Sequence, residues 1–170
     1  TLFLYVGAEV IAGDTIILYG LSLDIPLATA RTFTTMTLIS MVVGYIIGII
    51  TIPRYISQGK ALAVAAVLGF VFALLAIFTS GYTSIACIAL LGLSNAVMWP
   101  AIFPLAIADL GRFTKAGSAL LIMGIAGGAI LPLLYGKLVA VAGNQQAYWM
   151  LIPIYIFIFY FALFGNKIRK

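Results

Sequence analysis

Long apolar runs, broken by short polar connections, divide this chain into blocks. A transmembrane helix needs roughly 17 to 25 mostly apolar residues, and the blocks recur near that length. The pattern predicts helical spans over about 1–20, 32–52, 61–79, 82–108, 116–136 and 147–165. The breaks carry residues that disfavour continued helix. Gly20, Ser22, Asp24 and Pro26 follow the first block, Pro53 and Arg54 the second, Ser80 and Gly81 the third. The fourth block is long enough to tilt or kink, and it contains Pro100 and Pro104. The period-two alternation of a membrane β-strand does not occur. The expected fold class is an all-α membrane protein with six transmembrane helices.

Composition removes the soluble alternative. Hydrophobic residues make up 65% of the 170 and charged residues 8%, against about half and a quarter in soluble domains. So apolar a chain needs a lipid bilayer or partner helices to cover it. The net charge of +5 is spread over short connections and forms no basic face, so no nucleic-acid partner is expected. The single cysteine, Cys87, lies in an apolar run, and there is no histidine. Disulfide frameworks, the usual zinc sites and histidine-assisted nucleophiles therefore lose their main ingredients. No metal, no cofactor and no enzymatic activity are expected. The chain opens at Thr1, already inside an apolar segment, which reads as a piece of a longer protein.

Charge then orients the spans, because Lys and Arg concentrate in short cytoplasmic loops. With six spans, one side receives Arg54, Lys60, Arg112, Lys115, Lys167, Arg169 and Lys170, and the other only Arg31 and Lys137. That split predicts cytoplasmic ends in an inner (cytoplasmic) membrane; five or seven spans would spoil it.

Glu9 stands about halfway along the first span, where an ionisable group is costly unless it faces protein or a water-filled cavity. It is a candidate substrate-binding residue, and Tyr5, one turn away, can share its face. The competing reading is a glutamate that only holds the bundle together. Asp14 lies roughly 140° around the helix from Glu9, so the two carboxylates form no acid–base pair on one face. In the fourth span, Asn95 is followed one turn later by Trp99. An amide with an aromatic platform suits a polyhydroxyl substrate, although a helix–helix contact would use the same residues. Pro100 and Pro104 free backbone carbonyls and can hinge the helix. Gly124 and Gly128, like Gly44 and Gly48, form small-xxx-small faces suited to close packing and to sliding during a conformational cycle. Thr32, Thr34, Thr35 and Thr37 are expected to bond back to their own helix.

The loops are more specific than the spans. The segment from Gly48 through Arg54 to Gly59 and Lys60 resembles the glycine-and-arginine loop between paired helices of the major facilitator superfamily, without its preceding acidic residue. A longer match runs from Asn95 through Trp99-Pro100, Pro104, Asp109-Leu110-Gly111-Arg112, Lys115-Ala116-Gly117 and Gly124 to Gly128, ending at Pro132. With the opening Phe3-Leu4-Tyr5-Val6-Gly7-Ala8-Glu9-Val10, it resembles the carboxy-terminal half of the fucose permease and glucose/galactose transporter family of sugar–proton symporters.

The resemblance implies a carboxy-terminal six-helix bundle over 1–170, equivalent to helices seven to twelve of a twelve-helix fold. It implies secondary active transport of a hexose-type sugar by alternating access, with a proton rather than sodium as the coupling ion. It also implies an amino-terminal six-helix half as partner, carrying most of the coupling carboxylates, so that Glu9 would contact sugar rather than carry the proton. A transport-inactive scaffold or sugar sensor is the alternative.

Overall fold

The computed structural model describes residues 1–168, so Arg169 and Lys170, two of the cations in the charge count, lie outside the described residues. Helix dominates, with no strand among the described residues. Its helices are α1 (Leu2–Asp14), α2 (Ile16–Ser22), α3 (Leu27–Thr51), α4 (Gln58–Phe78), α5 (Gly81–Ala96), α6 (Met98–Ile107), α7 (Thr114–Met123), α8 (Gly127–Ala142), α9 (Asn144–Ala147) and α10 (Leu151–Leu163). Five stretches, α3, α4, α5 with α6, Gly111–Ala142 and Asn144–Lys167, are long and apolar enough to cross a membrane. The pair α1 and α2, bent by 50°, makes the sixth.

The bend interrupts what the apolar run predicted as one helix. Thr15 sits between α1 and α2, and its hydroxyl donates to Ile11 O at 2.6 Å while lying 2.9 Å from the Tyr148 hydroxyl. Return of a side-chain hydroxyl to the backbone competes with the helical ladder and bends it. The second helix begins at Leu27, after Pro26, rather than at 32. Its threonines do not end the helix, because Thr32 and Thr37 donate to Ala28 O and Phe33 O one turn back. The fifth stretch runs to Ala142, with Lys137 inside α8 and exposed. Its long stem lets the ammonium reach out while the helix continues.

The fourth stretch breaks at Val97, between α5 and α6. Pro100 explains the position: a proline ring clashes with the carbonyl four residues back, here Ala96, and supplies no N–H to it. A slender core runs through the molecule, and Tyr5, Tyr19, Tyr148 and Tyr155 are its largest fully buried side chains. α5 packs on α3 and α4, α10 on α4, and α1 on α8, α5 and α10. Lipid tails are as apolar as leucine, so close packing and interhelical hydrogen bonds hold such helices together. Two glycines set the closest approaches to a neighbouring backbone: a Cβ at Gly92 of α5 would collide with Thr37 O of α3, and one at Gly127 of α8 with Phe3 O of α1.

At the end opposite Arg54, the helices are tied by polar groups. Gln145 Nε2 lies 3.0, 3.1 and 2.6 Å from the carbonyls of Ala76, Ile77 and Thr79, the end of α4. A helix leaves its last four carbonyls without intrahelical donors, and this amide caps three carbonyls at that end. Ser84 donates to Ala76 O and pairs with the Tyr19 hydroxyl. The Tyr148 ring meets Tyr19 edge-on at 5.0 Å. By contrast, Gly111–Ala142 and α3 are mostly exposed on this chain. Those faces are left for lipid or for partner helices.

Candidate functional site

α1 is the central strut of the site. It carries Glu9, half-buried, and Tyr5, buried, one turn apart. The Tyr5 hydroxyl lies near the Glu9 carboxyl. The Tyr5 ring lies 6.4 Å from that of Trp99. Trp99 in turn stacks on Phe103 at 6.3 Å with an interplanar angle of 18°. The structure thus gathers three of the four residues singled out for substrate: Glu9, Tyr5 and Trp99.

The fourth, Asn95, goes elsewhere. It is 1% exposed, and its Oδ1 accepts a hydrogen bond from the Tyr155 hydroxyl at 3.0 Å. Asn95 and Trp99 therefore present no joint open surface: the amide bridges α5 to α10, while the indole lies on the α1 side. Tyr5 is the link between Glu9 and the partly exposed Trp99; the carboxylate can accept hydroxyl hydrogen bonds, and the indole offers a flat face to the C–H surface of a sugar ring.

Trp99 also borders a cleft of about 330 Å³, lined by Tyr45, Gln58 and Pro100 among others. Tyr45 is 40% exposed there. Sequence reasoning passed over Tyr45, Phe103 and Tyr155. A signal existed for Tyr45, the only aromatic in the second half of α3. None existed for Tyr155, which meets Asn95 only through tertiary packing.

Gly124 lies in a 3₁₀ turn between α7 and α8, where a Cβ would stand 3.3 Å from Phe3 N. A Cβ at Gly128 would be 3.1 Å from side chains of Val6 and Val10. Both glycines face α1, but Gly127 between them makes the tightest contact. Pro100 lies in the first turn of α6 and Pro104 in its interior. Among the described residues no three metal-ligating side chains converge.

No protein-family model matches the chain. Individual relatives do. A glucose/galactose transporter of Brucella abortus is 35% identical over 173 residues, covering 98% of this chain and 41% of the relative. The L-fucose-proton symporter of Escherichia coli is 32% identical over 170 residues, covering 97% and 38%. Among solved structures, the major facilitator superfamily transporter FucP, crystallised in the outward conformation, superposes with a TM-score of 0.90 at 28% identity. That superposition covers 96% of this chain and 40% of FucP. The chain spans about two-fifths of the length of the curated relatives it matches. In sequence this multi-pass membrane chain is similar to glucose/galactose and L-fucose-proton transporters, and its fold is that of the carboxy-terminal half of a major facilitator superfamily transporter.

Proposed function

We propose that this bundle is one half of a transporter for a hexose-type sugar of the glucose, galactose or fucose class, driven by protons and working by alternating access. The observation that carries the reading is the grouping of Glu9, Tyr5 and Trp99 around α1, in a chain whose relatives carry the names glucose/galactose transporter and L-fucose-proton symporter. In the proposed mechanism Glu9 accepts hydrogen bonds from sugar hydroxyls, Tyr5 orients the carboxylate, and Trp99 stacks on the ring. Asn95 supports them from behind through Tyr155.

Binding sugar in a site open to one side, and releasing it to the other, needs an amino-terminal six-helix partner against the sparsely buried faces of α3, α7 and α8. The small surfaces of Gly124 and Gly128 on α1 and the proline-interrupted α6, with Pro100 and Pro104, provide for sliding and bending as the two halves rock. The proposed location is the inner (cytoplasmic) membrane with both ends of this bundle on the cytoplasmic side, the side of Arg54, Lys60, Arg112 and Lys115. The scaffold alternative has no observation of its own.

The test is counterflow by the full-length transporter in proteoliposomes, with labelled glucose, galactose and fucose on one side. Exchange of at least one of the three, accelerated by an inward proton gradient and lowered in Glu9→Gln, is the expected outcome. Absence of exchange with all three sugars overturns the reading.

A further inference from the structure

A second concave surface adjoins the Trp99 cleft, sharing Gly48, Ile52 and Val97 with it. α3 and α4 follow each other in the chain and both pack on α5, yet they make little contact with each other. A groove therefore runs between them, with Gly44, Gly48 and Thr51 on the α3 wall, Ala61, Ala65 and Leu68 on the α4 wall, and Ser94 of α5 in its floor. From Gly44 to Thr51 the helix rises roughly 10 Å, about two-thirds of the hydrocarbon thickness of one leaflet.

The chemistry of the walls selects the occupant. The two hydroxyls in the groove are both turned away: Thr51 Oγ1 donates to Ile47 O at 2.7 Å and Ser94 Oγ to Leu91 O at 2.9 Å. What remains facing the groove is methyl, methylene and glycine backbone, which offers a sugar nothing and a hydrocarbon chain continuous contact.

The mouth has the opposite character. Between Thr51 and Ala61, at the same end of both helices, stand Arg54 and Lys60, both exposed. Arg54 lies over the Tyr55 ring at 5.6 Å, and among the described residues no ion pair with either cation is found. The four acidic residues of the chain are Glu9, Asp14, Asp24 and Asp109, so none lies within the α3–α4 connection. Two cations at the interface above an apolar slot match a phosphate-bearing headgroup above an acyl chain.

We propose that the α3–α4 groove is a binding site for an anionic phospholipid, one acyl chain lying along Gly44, Gly48 and Ala65 and the phosphate held by Arg54 and Lys60. The lipid fills a gap between two helices that share a floor but little direct contact, and so braces α3 against α4.

Native mass spectrometry of the full-length transporter tests this, comparing retention of dioleoylphosphatidylglycerol with that of dioleoylphosphatidylcholine. Preferential retention of phosphatidylglycerol is expected. The Arg54→Gln/Lys60→Gln variant should lose about fivefold in affinity per cation removed, roughly thirtyfold for the pair. Gly48→Leu, which fills the slot and keeps the cations, should lower retention of both lipids. Equal retention of the two lipids by the unmodified protein overturns the proposal. So does unchanged phosphatidylglycerol retention in both variants, or full competition by inorganic phosphate alone. If Gly48→Leu does not fold, the charge variant and the headgroup comparison still decide.

Discussion

Tyr155 of α10 donates a hydrogen bond to Asn95 Oδ1 of α5 at 3.0 Å, with both side chains buried. Water cannot replace either partner in the bundle interior. Asn95→Ala should therefore lower the thermal stability of the full-length transporter by about 1–2 kcal/mol, and Tyr155→Phe by about 0.6–1.7 kcal/mol. A double-mutant cycle read by thermal unfolding in detergent should return a coupling of similar size, and a coupling near zero would remove the contact from the account.

Glu9 is the only acidic residue in the helical interior of α1, away from its ends, and it faces Tyr5. Loss of a charged hydrogen bond to substrate weakens binding by about 1.5–3 kcal/mol. Glu9→Gln should lower sugar affinity roughly 10- to 100-fold, measured by uptake in cells expressing the full-length transporter at matched membrane levels. Equal affinity at equal expression would return Glu9 to a purely structural role.

Trp99 offers area rather than charge. Replacement by phenylalanine keeps a ring near Tyr5 and Phe103 and should cost less than tenfold in apparent affinity, whereas alanine removes the platform and should cost clearly more. Transport assays at graded sugar concentrations separate the two variants. Identical losses for both would argue against stacking.

Gly127 and Gly136 share α8 but not their surroundings. A Cβ at 127 would run into Phe3 O of α1, and the obstacle is backbone, which cannot turn aside; at 136 there is nothing within 4 Å. Gly127→Ala should reduce the amount of folded transporter severalfold, as measured by fluorescence-detected size exclusion. Gly136→Ala should be neutral or stabilising, by up to about 1 kcal/mol from helix propensity.

Gln145 fastens the connection after α8 to the end of α4 through the carbonyls of Ala76, Ile77 and Thr79. Gln145→Leu should destabilise the bundle by about 1–3 kcal/mol and speed hydrogen exchange in the last turn of α4. Unchanged exchange there would mean that water caps α4 equally well.

These residues also mark how far the sequence could be read. The helical class was legible because apolar runs of bilayer length leave few alternatives. Glu9 was legible because a charge stands out against such a run. Its grouping with Trp99 was only half legible: Tyr5 lies one turn away, but the approach of α6 to α1 is a tertiary event. The bend at Thr15 depends partly on Tyr148, far along the chain, and no local pattern announces it. The Asn95–Tyr155 bond is likewise non-local. The second span starts at Leu27, directly after Pro26, rather than at 32; Thr32 and Thr37 fold their hydroxyls back onto the helix as expected, whereas the buried Thr34 Oγ1 has no hydrogen-bond partner among the described residues.

That habit reaches beyond boundaries. Thr32, Thr37, Thr51, Thr79 and Ser94 each spend their proton on a carbonyl of the same helix. What such a threonine shows its neighbours is largely a methyl group, so a scale that scores it as polar misjudges the surface it makes. The bundle is drier than its letters, and in α3 a valine in place of such a threonine would change the spelling more than the solvent.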